Sequence, residues 1–159
     1  MITEQDKKFM REAIAQSFEG MRRGEGGPFG CVIVKNGEII GRGNNRVLMN
    51  NDPTAHAEVT AIRDACQNIQ YFQLEGCVVY TSCEPCPMCL GAIYWARPER
   101  IVYACTREDA AEIDFDDESL YGEFTKPMSE RQIPIQPLLR EEGLVAFQEW
   151  KNKQNKTLY

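Results

Sequence analysis

A chain of 159 residues, 43% hydrophobic and 26% charged, has the size of one ordinary domain and enough apolar content to bury a continuous core. Its apolar runs fall far short of the ~20 residues that span a bilayer, and Met-Ile-Thr-Glu-Gln-Asp-Lys-Lys at the start lacks the apolar core of a secretory signal, so a cytoplasmic setting is expected. A net charge of −6 with scattered basic residues makes a nucleic-acid partner unfavourable, since phosphates call for a basic face, and favours a small neutral substrate.

Residues 4–24 carry Phe9, Met10, Ala13, Ile14, Phe18 and Met21 at helical spacing, which predicts an amphipathic helix. Gly24, Gly26, Gly27 and Pro28 end it in a tight loop. Residues 29–34 form an apolar strand, Asn36-Gly37 is a strong hairpin signal, and residues 39–45 return. Asp52-Pro53 is helix-start chemistry for a helix over 55–68, with Val59, Ile62 and Cys66 on its inner face. A strand at 77–80 leads through Thr81-Ser82-Cys83-Glu84-Pro85-Cys86-Pro87-Met88-Cys89 into a helix over 88–96, and a further strand follows at 101–105. This alternation predicts parallel pairing and a three-layer α/β/α sandwich.

Beyond Thr106 the pattern loosens. Residues 108–112 suit a helical turn, and Asp114 to Glu118 form an acidic loop. Residues 133–138 read as an edge strand because Pro134 and Pro137 bar them from a sheet centre; with it, the mixed central sheet has five strands. A last helix over 141–154 presents Leu144, Val145, Phe147 and Trp150. With no linker and no repeat, residues 1–159 are expected to form one domain.

Seven cysteines, an odd number without a secretory signal, argue against a disulfide framework. Cys31, Cys66, Cys77 and Cys105 sit in apolar segments and read as small hydrophobes. Cys86 and Cys89, three apart at a helix start, lie on one face and can share an ion, and the helix dipole favours their thiolates. His56, the chain's single histidine, supplies a third ligand if the two helix starts converge at the carboxyl ends of strands. Three ligands leave one position for water in a catalytic zinc site, and Glu58 is placed to carry protons. Two alternatives stand beside this. Cys86 and Cys89 alone would suit a thioredoxin-like redox pair, and Cys83 could complete a closed structural zinc site, which would leave Glu58 without a task. The joint pattern, His-x-Glu followed by Pro-Cys-x-x-Cys, is that of the zinc-dependent nucleobase deaminases.

On these residues the chain resembles the cytidine deaminase-like superfamily and, within it, the bacterial guanine deaminase family. The likeness runs through Gly-Gly-Pro-Phe-Gly at 26–30, Asn-Asp-Pro-Thr-Ala-His-Ala-Glu-Val-Thr-Ala-Ile-Arg at 51–63 and Tyr-Thr-Ser-Cys-Glu-Pro-Cys-Pro-Met-Cys-Leu-Gly-Ala-Ile-Tyr-Trp-Ala-Arg-Pro at 80–98. It continues through Phe115-Asp116-Asp117 to Phe147-Gln148-x-Trp150 and a terminal tyrosine. The resemblance implies one zinc ion held by His56, Cys86 and Cys89, and hydrolysis of guanine to xanthine and ammonia with Glu58 moving protons. It further implies that Asn45 bonds the purine, Asp117 reads its polar edge, and Phe29 and Trp95 form apolar walls. Asp114, Asp116 and Glu118 flank Asp117 and leave open which carboxylate faces the base. Homodimers are implied too, with the segment of about 130–159 swapped so that Tyr159 acts in the neighbour's site. Guanosine, cytosine, an aminotriazine and a tRNA adenosine remain alternative substrates.

Overall fold

The structure is a computed structural model and describes residues 2–159. Helix α1 (Glu4–Arg22) begins in a capping box: Thr3 Oγ1 accepts from the Asp6 amide, and the Asp6 carboxylate accepts from the Thr3 amide, so two donors that a helix start orphans are satisfied reciprocally. Strands β1 (Gly30–Lys35) and β2 (Glu38–Asn44) form the expected antiparallel hairpin. Asn36 and Gly37 both have positive φ, 51° and 79°, the backbone that matches a turn to the twist of its strands. A short helix α2 (Val47–Asn50) precedes α3 (Ala57–Ile69). Strand β3 (Cys77–Cys83) then leads to α4 (Pro87–Ala96), β4 (Arg100–Cys105) and α5 (Arg107–Ala111).

The strands stand in the order β2-β1-β3-β4, with β1 antiparallel to both neighbours and β3 parallel to β4. The sheet is mixed, as expected, but has four strands and not five. Residues 133–138 form no regular element, because Pro134 and Pro137 remove two of the six backbone donors that a ladder there would use.

Alternation along β1 sends side chains to two cores. Val32 and Val34 join Phe9, Ala13 and Tyr80 under α1, whereas Cys31 and Ile33 join Val79, Ala57, Ala61, Ala65 and Ile93 under α3 and α4. This places one helix on one face of the sheet and two on the other. Helix α3 lies directly against β2, and glycine makes that possible. A Cβ at Gly43 would stand 2.3 Å from the Ala57 carbonyl oxygen, and one at Gly41 would stand 2.6 Å from Ala65 Cβ.

Asp6 ties α1 to the sheet. Buried at 2% exposure, its carboxylate accepts from Tyr80 Oη at 2.6 Å, from Thr3 Oγ1 at 2.8 Å and from the Arg100 guanidinium. The Tyr80 bond first, then those from Thr3, hold its pKa far below the usual carboxylate range.

The chain divides into two compact units, one ending at Asp117 and a second spanning Glu118–Tyr159. The second contains α6 (Glu118–Thr125), a single 3-10 turn (Met128–Glu130) and α7 (Arg140–Asn152). Helix α6 had no counterpart in the sequence pattern. From Arg97 to Tyr159 no residue is buried, and apolar side chains such as Leu138 and Phe147 stand 85% and 75% exposed. Among the described residues, no helix is long and apolar enough to cross a membrane.

Removing the tyrosine hydroxyl tests the Asp6 tie. Tyr80→Phe is expected to lose about 1.5–3 kcal/mol at pH 7, the range for a hydrogen bond to a charged group, as read by urea unfolding. Because native Asp6 titrates below its ordinary 3.8, this stabilisation is fully present above that pH and fades as the pH drops toward the native value. Wild-type and variant stabilities therefore converge in acid.

Candidate metal centre

Two helix starts meet at the carboxyl ends of β2 and β3. His56 is the N-cap of α3 and Cys86 the N-cap of α4, where Pro87 fills the first helical position, as suits a residue without an amide proton. Cys89 lies three residues into that start. His56 Nδ1 stands 3.6 Å from Cys86 Sγ and 3.5 Å from Cys89 Sγ, and all three donor atoms lie within 4.8 Å of one another. Bond lengths of about 2.0–2.1 Å to nitrogen and 2.3 Å to sulfur in a tetrahedral zinc site put donor atoms about 3.6–3.8 Å apart. Both nitrogen-to-sulfur separations therefore suit a zinc ion, and the donor set fits that metal's chemistry. His56 and Cys86 are half-buried and Cys89 is buried.

Both helices direct their positive ends at this point, which favours negative charge there. A hydrogen bond from Cys89, then His56 beside it, pull the Cys86 thiol down to about 4. The Cys86 sulfur in turn raises the pKa of His56.

Cys83 does not join the group. Its thiol donates to the Thr106 carbonyl at 3.4 Å, and the three donor atoms that lie together belong to His56, Cys86 and Cys89. A closed site of His56, Cys83, Cys86 and Cys89 thus lacks its fourth member. The redox reading accounts for two cysteines after a strand but gives no role to the histidine and carboxylate beside them.

Glu58, in the first turn of α3, is only 5% exposed, quite unlike a solvated helix charge. Burial raises its pKa, while bonds from its own amide, Cys89 and Thr81 counter the rise. Thr81 Oγ1 donates to Glu58 Oε1 at 3.0 Å. Thr81 lies just past the expected strand end at Tyr80, and its one signal in the sequence is a hydroxyl residue two places before Cys83 in an apolar run.

The other expected residues divide. Asn45 is buried; its amide donates to the Phe29 carbonyl at 3.0 Å, and its Oδ1 accepts from the Val47 amide at 3.2 Å. The Phe29 ring meets Phe115 edge-on at 4.9 Å, which folds the acidic loop back over the Gly27–Phe29 turn. In that loop Asp117 is half-buried, and Asp114, Asp116 and Glu118 are exposed. Burial, then the nearby Cys86 sulfur, raise the Asp117 pKa. Trp95 is 66% exposed on α4, and Tyr159, 69% exposed, ends the second unit.

Comparison with known proteins agrees with this geometry. Residues 3–105 match the family described as the cytidine and deoxycytidylate deaminase zinc-binding region. The chain is 55% identical over 151 residues to a guanine deaminase of Bacillus subtilis (strain 168), covering 95% of this chain and 97% of that protein. It superposes on an X-ray structure of guanine deaminase from Bacillus subtilis with a TM-score of 0.93 and 54% identity, covering 96% of this chain and 98% of the other. A tRNA-specific adenosine deaminase of Bacillus subtilis (strain 168) is 41% identical over 99 residues, 62% of this chain and 61% of that one.

Metal analysis separates the ligands from their neighbour. Purified Cys86→Ser and His56→Ala proteins are expected to lose most of their zinc by atomic absorption. Cys83→Ser is expected to keep about one equivalent, as a three-residue ligand set requires.

Proposed function

The chain belongs to the family that carries the cytidine and deoxycytidylate deaminase zinc-binding region, and from that membership we propose that it is a guanine deaminase, hydrolysing guanine to xanthine and ammonia. The observation that carries this reading is Glu58, a carboxylate buried beside three donor atoms suited to zinc, in a chain that matches a guanine deaminase over 95% of its length.

His56, Cys86 and Cys89 hold the zinc in this reading. When bound, the ion supplies a Lewis acid that lowers the pKa of water toward about 7. Glu58 accepts the proton that water gives up and passes it to a ring nitrogen; the second proton of the same water, from the hydroxyl that becomes the new carbonyl, goes to the departing amine. Water adds at the carbon that loses nitrogen, so guanine and one water leave as xanthine and ammonia. Asn45 bonds the purine edge from a loop already fixed to Phe29, and Asp117 reads polar groups on the ring. Phe29 and Trp95 supply apolar walls.

The working unit is a homodimer in this proposal, with the whole chain acting as one deaminase domain and the segment of about 130–159 seated on the other copy. Two observations support it: nothing from Arg97 onward is buried within one chain, and α7 presents Val145 and Phe147 at 66% and 75% exposure. Exposed apolar surface on that scale marks an association site. The partner subunit's Tyr159 would then close over the base. All seven cysteines remain unpaired, which favours a reducing, cytoplasmic setting. A tRNA substrate is the weaker reading, because the net charge of −6 opposes a polyanion.

Zinc-loaded protein given guanine, guanosine, cytosine or adenine should release ammonia from guanine foremost, and silence on guanine would overturn the assignment. Glu58→Gln should retain zinc while kcat falls by about 10²–10⁴. Deleting Thr157 to Tyr159 should lower kcat/KM at unchanged zinc content; normal kinetics would dismiss the tail as a lid.

A further inference from the structure

We infer that Thr81 is a positioning residue for the deamination step. Its hydroxyl fixes one oxygen of the Glu58 carboxylate, so that the other oxygen alone faces the reacting groups. The inference rests on the reading of Glu58 as the proton carrier.

A glutamate side chain has three rotatable bonds, and its charged end loses freedom only where something holds it. Here the holder is unusually stiff. Thr81 is 1% exposed and lies on β3, which is paired on both sides, with Cys31 opposite on β1 and Tyr103 opposite on β4. A β-branched side chain on such a strand has little rotamer choice. A hydroxyl has one proton to give, and that of Thr81 goes to Glu58 Oε1 at 3.0 Å.

The strand also links the pin to the metal ligands. Ser82 Oγ accepts from the Gly30 amide at 2.9 Å, and the Glu84 amide donates to the Cys105 carbonyl at 2.8 Å. These bonds fix the chain on its way from Thr81 to Cys86. One strand thus sets both the position of the thiolates and the direction of the carboxylate between them. A general base must lie within hydrogen-bond reach of its proton, and displacement by about 1 Å can slow a reaction about 10²-fold. Holding one carboxylate oxygen also leaves a single route for the proton, out and back through the other.

Thr81→Val keeps shape and removes the donor; Thr81→Ser keeps the donor. Zinc-loaded Thr81→Val is expected to show kcat down about 10- to 100-fold with KM within about threefold, and Thr81→Ser should return kcat to within about threefold of wild type. Zinc content should stay equal across the series, and a crystal structure of zinc-loaded Thr81→Val should show the Glu58 carboxylate turned from its wild-type direction. Should Thr81→Val not fold, Thr81→Ala, which adds no atoms, carries the same comparison. Unchanged kcat in Thr81→Val, a Thr81→Ser variant as slow as Thr81→Val, or zinc lost together with activity would each overturn the inference. If wild-type protein releases no ammonia from guanine, the functional reading fails, and the Glu58 direction in the Thr81→Val crystal decides the positioning role alone.

Discussion

Strand β2 has no side chain where it passes beneath α3, and the site depends on that absence. With a Cβ at Gly43 only 2.3 Å from the Ala57 carbonyl, any other residue would lift the start of α3 off the sheet. Ala57 is the neighbour of His56, so a shift there moves the imidazole first. The donor atoms stand 3.5–3.6 Å from His56 Nδ1, and a tetrahedral ion tolerates deviations of only about 0.2 Å in its bond lengths. Backbone-to-backbone contact between β2 and α3 is therefore the condition under which histidine and thiolates can share one centre. Alanine at Ala61 and Ala65, both fully buried, continues the same close approach down the helix.

Charge at the centre is managed by the two helix starts. Thiolates would repel one another and the nearby Glu58, yet N-terminal amides of both α3 and α4 face them, as helix ends do for anions. The same convergence explains why a carboxylate tolerates burial here. Glu58 has a hydroxyl and its own amide to bond, and a cation at the three donors would offset the charge further. Asp6, on the opposite face, solves the burial of a carboxylate with a different set of partners: a phenol, a hydroxyl and a guanidinium. The partners of Asp6 tie a helix to the sheet, whereas those of Glu58 include Cys89 of the metal cradle.

Much of this was legible from residues alone because it is local. Asn36-Gly37 announced its turn, the spacing of Phe9 and Ala13 announced α1, and Cys86-x-x-Cys89 after a strand announced a helix start with ligands on one side. What escaped depended on partners distant in sequence. Thr81 and Ser82 are polar types that prolong β3 to Cys83, because their oxygens meet Glu58 and Gly30, and nothing nearby in the chain reveals those partners. The Pro-Cys-x-x-Cys pattern already set Cys83 apart from its equally spaced neighbours but did not reveal its partner, the carbonyl of Thr106, 23 residues on. Proline content argued for an edge at 133–138 but in fact prevented any strand. Of four neighbouring acidic groups, Asp117 is half-buried and the others are exposed, a difference that composition cannot reveal.

The distribution of burial along the chain has a bearing on biosynthesis. Every buried residue, the metal cradle, Glu58 and Thr81 precede Arg97. Translation at about 5–20 residues per second takes roughly 3–13 s to deliver the rest. The nascent protein can thus lay down its reactive centre while the segment that contributes Tyr159 is still inside or near the ribosome. The residues of the centre come first in time, and the second unit, Glu118–Tyr159, arrives last.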